Sequence, residues 1–136
     1  MNSIDFLIYG KIIIDEIRLP SGEVVHDVLG GGGPQALFGA RLWHDSVGFL
    51  SRSGEDIAAN HVQTLQDLDA DLTGWAKFAD IPTAHSNMLY DEDEYLVQED
   101  ERGGTLLTNR ENWFKLLAQK LPIPESYEPV SYTHLR

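Results

Sequence analysis

The 136-residue sequence contains no cysteine. That excludes a disulfide scaffold, a thiolate zinc centre and a cysteine nucleophile. Positive charge is scarce: 10 Lys and Arg stand against 22 Asp and Glu, a formal net charge of -12. Nucleic acid and anionic membrane surfaces are themselves polyanions, so an acidic chain with no basic run is expected to bind neither. No apolar run approaches the length of a membrane span. The N-terminus, Met1-Asn2-Ser3-Ile4-Asp5, lacks the basic region of a secretion signal. A soluble, cytoplasmic protein is the expectation. What the sequence does have is 42% hydrophobic residues, enough to build a core. A compact chain of this length buries roughly two thirds of its unfolded surface, which suits one domain or part of one.

Residues 4–14 are β-branched and aromatic and nearly continuous in apolarity. That pattern predicts a strand buried on both faces, as in the parallel sheet of an α/β protein, ending at Asp15 and Glu16. Two short strands follow within 17–25, around a turn carrying Pro20 and Gly22. Pro34 suits the first turn of a helix through Gln35–Trp43, since the N–H it lacks would have no partner there. Ser46–Ser51 is a second buried-strand candidate. Gly54-Glu55-Asp56 is expected to cap a further helix with Ile57, Val62, Leu65 and Leu68 at helical spacing. Strands are predicted over 73–78 and 83–90, with 95–98 pairing back across the acidic turn Asp91–Glu94. A third helix opens on the capping box Thr108-Asn109-Arg110-Glu111 and presents Trp113, Leu116, Leu117 and Leu121, until Pro122 stops it. The tail 123–136 reads as irregular and its last residues as non-native.

The run Gly30-Gly31-Gly32-Gly33 is the most informative feature. Glycines ahead of a helix let backbone N–H groups approach a ligand more closely than residues with a Cβ allow. A P-loop is excluded because no Lys-Ser/Thr pair follows the glycines. Gly31-Gly32-Gly33-Pro34-Gln35-Ala36 does satisfy a dinucleotide-binding fingerprint, with Glu55 or Asp56 near its acidic position. A flexible connector is the third reading. The five histidines show no metal-ligand spacing, so packing or surface roles are expected of them. The acidic runs 91–94 and 99–101 lack the spacing of a calcium loop.

Gly10-Lys-Ile-Ile-Ile-Asp15, Gly30–Ala36, Ala40-Arg-Leu42, Val47–Ser51, Gly54-Glu-Asp56, Asp69-Ala-Asp71 and Pro82-Thr-Ala84, in this order, resemble the N-terminal half of the PfkB (ribokinase-like) carbohydrate kinases. The resemblance covers residues 4 to about 120 and implies an α/β, ribokinase-like fold: a partial Rossmann-like parallel sheet flanked by helices, with a small β lid. It implies that Asp15 accepts hydrogen bonds from substrate hydroxyls, a role that suits an acceptor-only carboxylate. It also implies that Gly30, Gly31, Gly32 and Gly33 contact a sugar or nucleoside through their backbone. Strands 17–25 and 83–98 would be the lid, which in this family closes over substrate and often mediates dimerisation. A homodimer through the lid strands is therefore an expectation.

The sequence departs from the family where Pro34 replaces the Asn of the glycine motif, with Gln35 as a substitute amide. ATP and Mg2+ are implied for the full-length family, whose catalytic Asp lies in a downstream G-A-G-D loop. Nothing in 1–136 matches that loop. The expectation is a truncated kinase domain over 1–122, carrying no catalytic residue, no metal ligand and no cofactor of its own. The alternatives are a small dinucleotide-binding domain complete in itself and a non-catalytic interaction module.

Overall fold

The computed structural model describes residues 4–93, 96–97, 106–107, 110–121, 123–125 and 127. Two sheets share the chain. The first is a three-stranded parallel sheet of β1 (Phe6–Tyr9), β4 (Val47–Gly54) and β5 (Trp75–Phe78), in the order β1-β4-β5. The second has the order β3-β2-β6-β7, built from β2 (Ile13–Arg18), β3 (Val24–Gly30), β6 (Ala84–Tyr90) and β7 (Leu96–Val97), with β8 (Leu106–Leu107) also on β6. Helices α1 (Gly32–Arg41), α2 (Ala59–Gln66) and α3 (Arg110–Ala118) complete the order. The chain is thus α/β, a parallel sheet flanked by helices plus a second, five-stranded mixed sheet.

The core lies between the first sheet and its helices: Val47, Phe49 and Trp75 pack with Leu37 of α1, Leu65 of α2, and Ile12, Ile14 and Ile57. β4, in the middle of its sheet, is buried on both faces, as the apolar run 46–51 predicts. β1 stands at the sheet edge, and its Phe6, Leu7 and Tyr9 are exposed.

The apolar run 4–14 is not one strand. It breaks at Gly10, whose backbone packs against Gly33; the first piece joins the parallel sheet as β1 and the second crosses into the other sheet as β2. Asp15 therefore lies within β2, two strand positions past the crossing, rather than at the end of the first parallel strand. The expected burial on both faces fails for β1, which lies at a sheet edge; apolar continuity alone cannot distinguish one long strand from two short ones placed in different sheets.

β2 and β3 form the hairpin expected around Pro20 and Gly22. The N–H groups of Leu19 and Gly22 donate to Glu23 O and Leu19 O, both at 2.9 Å, and Gly22 takes φ 86, where a side chain would be strained. The second sheet begins at Ile13 and β3 runs on to Gly30, so it is longer than the segments 17–25 and 83–98 suggest. α1 opens at Gly32 with Pro34 in its first turn.

Gly54 and Asp56 do not cap a helix. Gly54 ends β4, and α2 starts after Ala58, which makes no side-chain cap. The Asp56 carboxylate instead takes the N–H and hydroxyl of Thr83, at 2.9 and 2.7 Å. β7 pairs with β6 through Leu89–Val97 and Tyr90–Leu96, as the expected return across the acidic turn requires. In α3, Leu116 is fully buried while Leu117 is exposed; Thr108 and Asn109 of the capping box lie outside the described residues. Tyr127, in the segment read as irregular, is buried against Gly48 and Gly74.

Candidate functional site

The glycine run and Asp15, far apart in sequence, meet in space. Asp15 pairs with Val28 of β3 on one side and with Ser86 of β6 on the other. In a strand ladder, residues directly opposite share a face, so Ser86 projects beside Asp15. Its hydroxyl donates a hydrogen bond to Asp15 Oδ1. Both residues are buried, at 7% and 2% exposure. Gly30, the last residue of β3, lies against the same carboxylate: a methyl group at Gly30 would run into Asp15 Oδ2. A buried carboxylate is tolerated because it is paired by a donor on one strand and given room by a glycine on another.

The four glycines do different things. Gly31 takes φ 90, with Lys11 O and Ile13 N so close that only glycine fits. Gly33 donates its N–H to Lys11 O at 3.0 Å, and a Cβ there would lie 2.8 Å from the backbone of Gly10. Two of the run, Gly31 and Gly33, thus serve the crossing of the glycine loop over the Gly10–Ile13 link, and Gly30 makes room for Asp15. Gly32 differs: nothing lies within 4 Å of the position its Cβ would take. Its backbone, at the first position of α1, faces open space at the positive end of a helix dipole.

A small cavity of about 250 Å³ opens beside Asp15, lined by Ile14, Asp15, Glu16, Asp27, His85, Ser86 and Asn87. The roughly 300–1,000 Å³ typical of drug-sized ligands exceeds it, and six of its seven lining residues are polar. Glu16 meets His26 Nδ1 at 3.0 Å and Arg18 at 3.7 Å.

Of the residues singled out in the sequence, Asp15 and Gly30 are in contact and Gly31–Gly33 follow directly. Ser86 falls within the strand predicted over 83–90, and the β2–β6 register is what gives it Asp15 as partner. Asp27 was not singled out at all; its signal is conformational, a φ of 57 in a residue other than glycine. His61, expected to pack or lie on the surface, is buried at 6% exposure and pairs with Asp27.

Gln35, the proposed substitute for the missing Asn, lines a different, apolar cavity with Leu29, Pro34, Phe38 and Leu65. Of Glu55 and Asp56, the acidic positions of the dinucleotide fingerprint, the Asp56 side chain is taken by Thr83, and Glu55 is exposed.

No protein-family profile matches the chain. An uncharacterised protein of Schizosaccharomyces pombe is 34% identical over 83 residues, which cover 54% of this chain and 23% of that protein. Among solved structures, the chain is similar to a nucleoside kinase of Methanocaldococcus jannaschii, an archaeal member of the ribokinase family. The TM-score is 0.57 at 16% identity, covering 85% of this chain and 40% of that one. It is similar also to a PfkB protein of Polaromonas, with TM-score 0.55, 21% identity and coverage of 67% and 33%. A ribokinase of Cryptococcus neoformans, solved with ADP, gives TM-score 0.54 at 22% identity and coverage of 71% and 33%. These likenesses establish a ribokinase-like fold. The chain spans between 33% and 40% of the length of these three structures.

Proposed function

We propose that the chain is the substrate-side part of an ATP-dependent carbohydrate or nucleoside kinase. In the parent protein, phosphoryl transfer from ATP would fall on a hydroxyl of a sugar or nucleoside. The observation that carries this reading is the seating of Asp15 against Gly30, at the point where the glycine loop turns into α1. Asp15 offers carboxylate oxygens to hydroxyl donors, Ser86 fixes its rotamer, and the backbone of Gly32 faces the open side. Sugar hydroxyls are donors and acceptors on neighbouring carbons, and a fixed carboxylate near the exposed start of a helix suits both functions. The kinases it resembles in fold act on ribose or nucleosides by their names, which supports a ribose-bearing ligand.

Among the described residues no group of three or more His, Asp and Glu side chains is arranged to hold a metal ion. Nothing in 1–136 matches the G-A-G-D loop that carries the family's catalytic Asp, so the reading assigns these residues the substrate side alone.

Calorimetric titration with D-ribose and with adenosine tests the reading. Saturable binding of one of them, weakened at least about tenfold by Asp15→Ala, with no ligand-dependent ATP consumption, is the expected result. Ribose-dependent ATP turnover by the purified chain would overturn the claim that catalytic machinery is absent. Saturable NAD(H) binding that Gly32→Val and Glu55→Ala both weaken would replace the reading with the dinucleotide-binding one.

A further inference from the structure

The bonds that join the second sheet to the core cluster where the chain crosses between them. Ser51 hydroxyl donates to Gly10 O at 2.6 Å, Gly33 N–H to Lys11 O at 3.0 Å, and Gly54 N–H to Thr83 Oγ1 at 3.0 Å. Among the described residues, one side-chain hydrogen bond joins the second sheet to a helix away from these crossings. His61 Nε2, on α2, is 3.0 Å from Asp27 Oδ1, in the interior of β3. The His61 side chain is 7% exposed and that of Asp27 is 54% exposed, so a buried ring reaches out to a strand at the sheet edge.

Three observations meet at Asp27. Its φ is 57, a left-handed conformation that costs free energy in any residue with a Cβ, although Asp tolerates it better than most. The β2–β3 register shifts between Asp15 and Ile17, opposite this stretch of β3, and such bulges re-aim side chains. Asp27 also lines the cavity beside Asp15. A backbone cost held at one residue needs surroundings that impose it, and the bond to His61 is such a constraint. His61 in turn is a polar ring buried on the same helix as fully buried Leu65, and Asp27 satisfies it.

We propose that Asp27 and His61 form a strap that holds the edge strand β3 down on α2 and keeps the cavity beside Asp15 closed along that side. Lifting β3 breaks this bond and releases the left-handed backbone at Asp27, so the two effects oppose each other and the strap is releasable. The second sheet then moves about its crossings at Gly10–Ile12, Gly30–Gly31 and Thr83, which stay pinned. The strap is a property of the fold and stands whatever ligand Asp15 meets.

Hydrogen exchange read by mass spectrometry on the whole chain tests it with three variants. Asp27→Asn keeps an acceptor and tolerates the left-handed backbone. Asp27→Gly keeps the backbone freedom and removes the acceptor. His61→Phe keeps a ring in the buried site and removes the donor. In Asp27→Gly and His61→Phe, amides of Val24–Leu29 are expected to exchange about tenfold faster, the scale of one lost hydrogen bond in a local opening, while those of Val47–Ser53 keep their rates. Asp27→Asn is expected to stay near wild type. Unchanged exchange in β3, or equal acceleration by Asp27→Asn and Asp27→Gly, overturns the strap. So does acceleration of β3 and β4 together, or failure of both Asp27→Gly and His61→Phe to fold, since the pair is then a general stability contact.

Discussion

In the parallel sheet, cohesion is apolar: Val47 and Phe49 of β4 are at most 1% exposed and pack among Leu37, Leu65 and Trp75. At the seams of the second sheet the buried residues, Asp15, Ser86, Thr83 and His61, are polar. Asp15 has Ser86, Thr83 has Asp56 and Gly54, and His61 has Asp27. Burial of apolar surface is additive and non-directional, so it fixes that a sheet packs but only loosely how. A buried polar pair is directional, and losing one partner leaves the other unsatisfied at the full cost of desolvation. The parallel sheet therefore supplies stability and the seams supply placement, holding Asp15 under the glycine loop.

The comparison predicts its largest effect in β4. Phe49 is fully buried at the centre of the core. Phe49→Ala is expected to cost about 3–5 kcal/mol by lost transfer energy and the cavity left behind. Urea unfolding followed by tryptophan fluorescence reads this loss. A cost near 1 kcal/mol would show that the parallel sheet is not the anchor and would break the contrast.

Thr83 gives the next effect and sharpens the polar side. Its hydroxyl donates to Asp56 Oδ1 and accepts from Gly54 N–H, and its own N–H bonds the same carboxylate. Thr83→Val keeps the shape and the last of these bonds, but leaves a buried N–H without a partner and a carboxylate short of a donor. The expected loss is about 1–3 kcal/mol. Because Thr83 immediately precedes β6, the same variant should weaken ligand binding at Asp15 beyond what the stability loss explains. Calorimetry on the folded variant separates the two. Thr83→Ser, which keeps the hydroxyl, should restore binding.

Most elements were legible from the sequence because period and punctuation agree there: the β4 apolar run, the Pro20–Gly22 hairpin, the Gly-Pro start of α1 and the β6–β7 return. What escaped is what depends on partners distant in the chain. The break of residues 4–14 at Gly10 is set by Gly33, whose backbone comes within van der Waals contact. The capping role expected of Asp56 lost to Thr83, 27 residues on. Asp27 and His61, 34 residues apart, carry no local signature as a pair. Asp15 and the glycines could be named singly, but their contact could not, since it follows from the pairing of β2 with β3. Tyr127 shows the same limit: its burial depends on Gly48 and Gly74 leaving room, and nothing in its own neighbourhood announces it.

The smallest effect belongs to the turn after α2, where a polar cluster is partly exposed and the seam argument should fade. Burial works against ionisation of Asp71, but hydrogen bonds from the Thr73 hydroxyl, at 2.6 Å, and Thr73 N–H, at 2.9 Å, together outweigh it. The Tyr127 hydroxyl adds to them, and the Asp71 carboxyl titrates below its ordinary range. A carboxylate whose value is lowered on folding contributes stability above its unfolded value, and that contribution is lost as pH falls through the folded one. Thr73→Val removes the hydroxyl bond and keeps the backbone one. The difference in stability between wild type and Thr73→Val should therefore be greatest near neutral pH, smaller there than the Thr83→Val effect, and should shrink steadily into the acid range. Thermal unfolding of both proteins across that range measures it. A difference that is constant with pH would mean that Thr73 acts through packing rather than through the Asp71 charge.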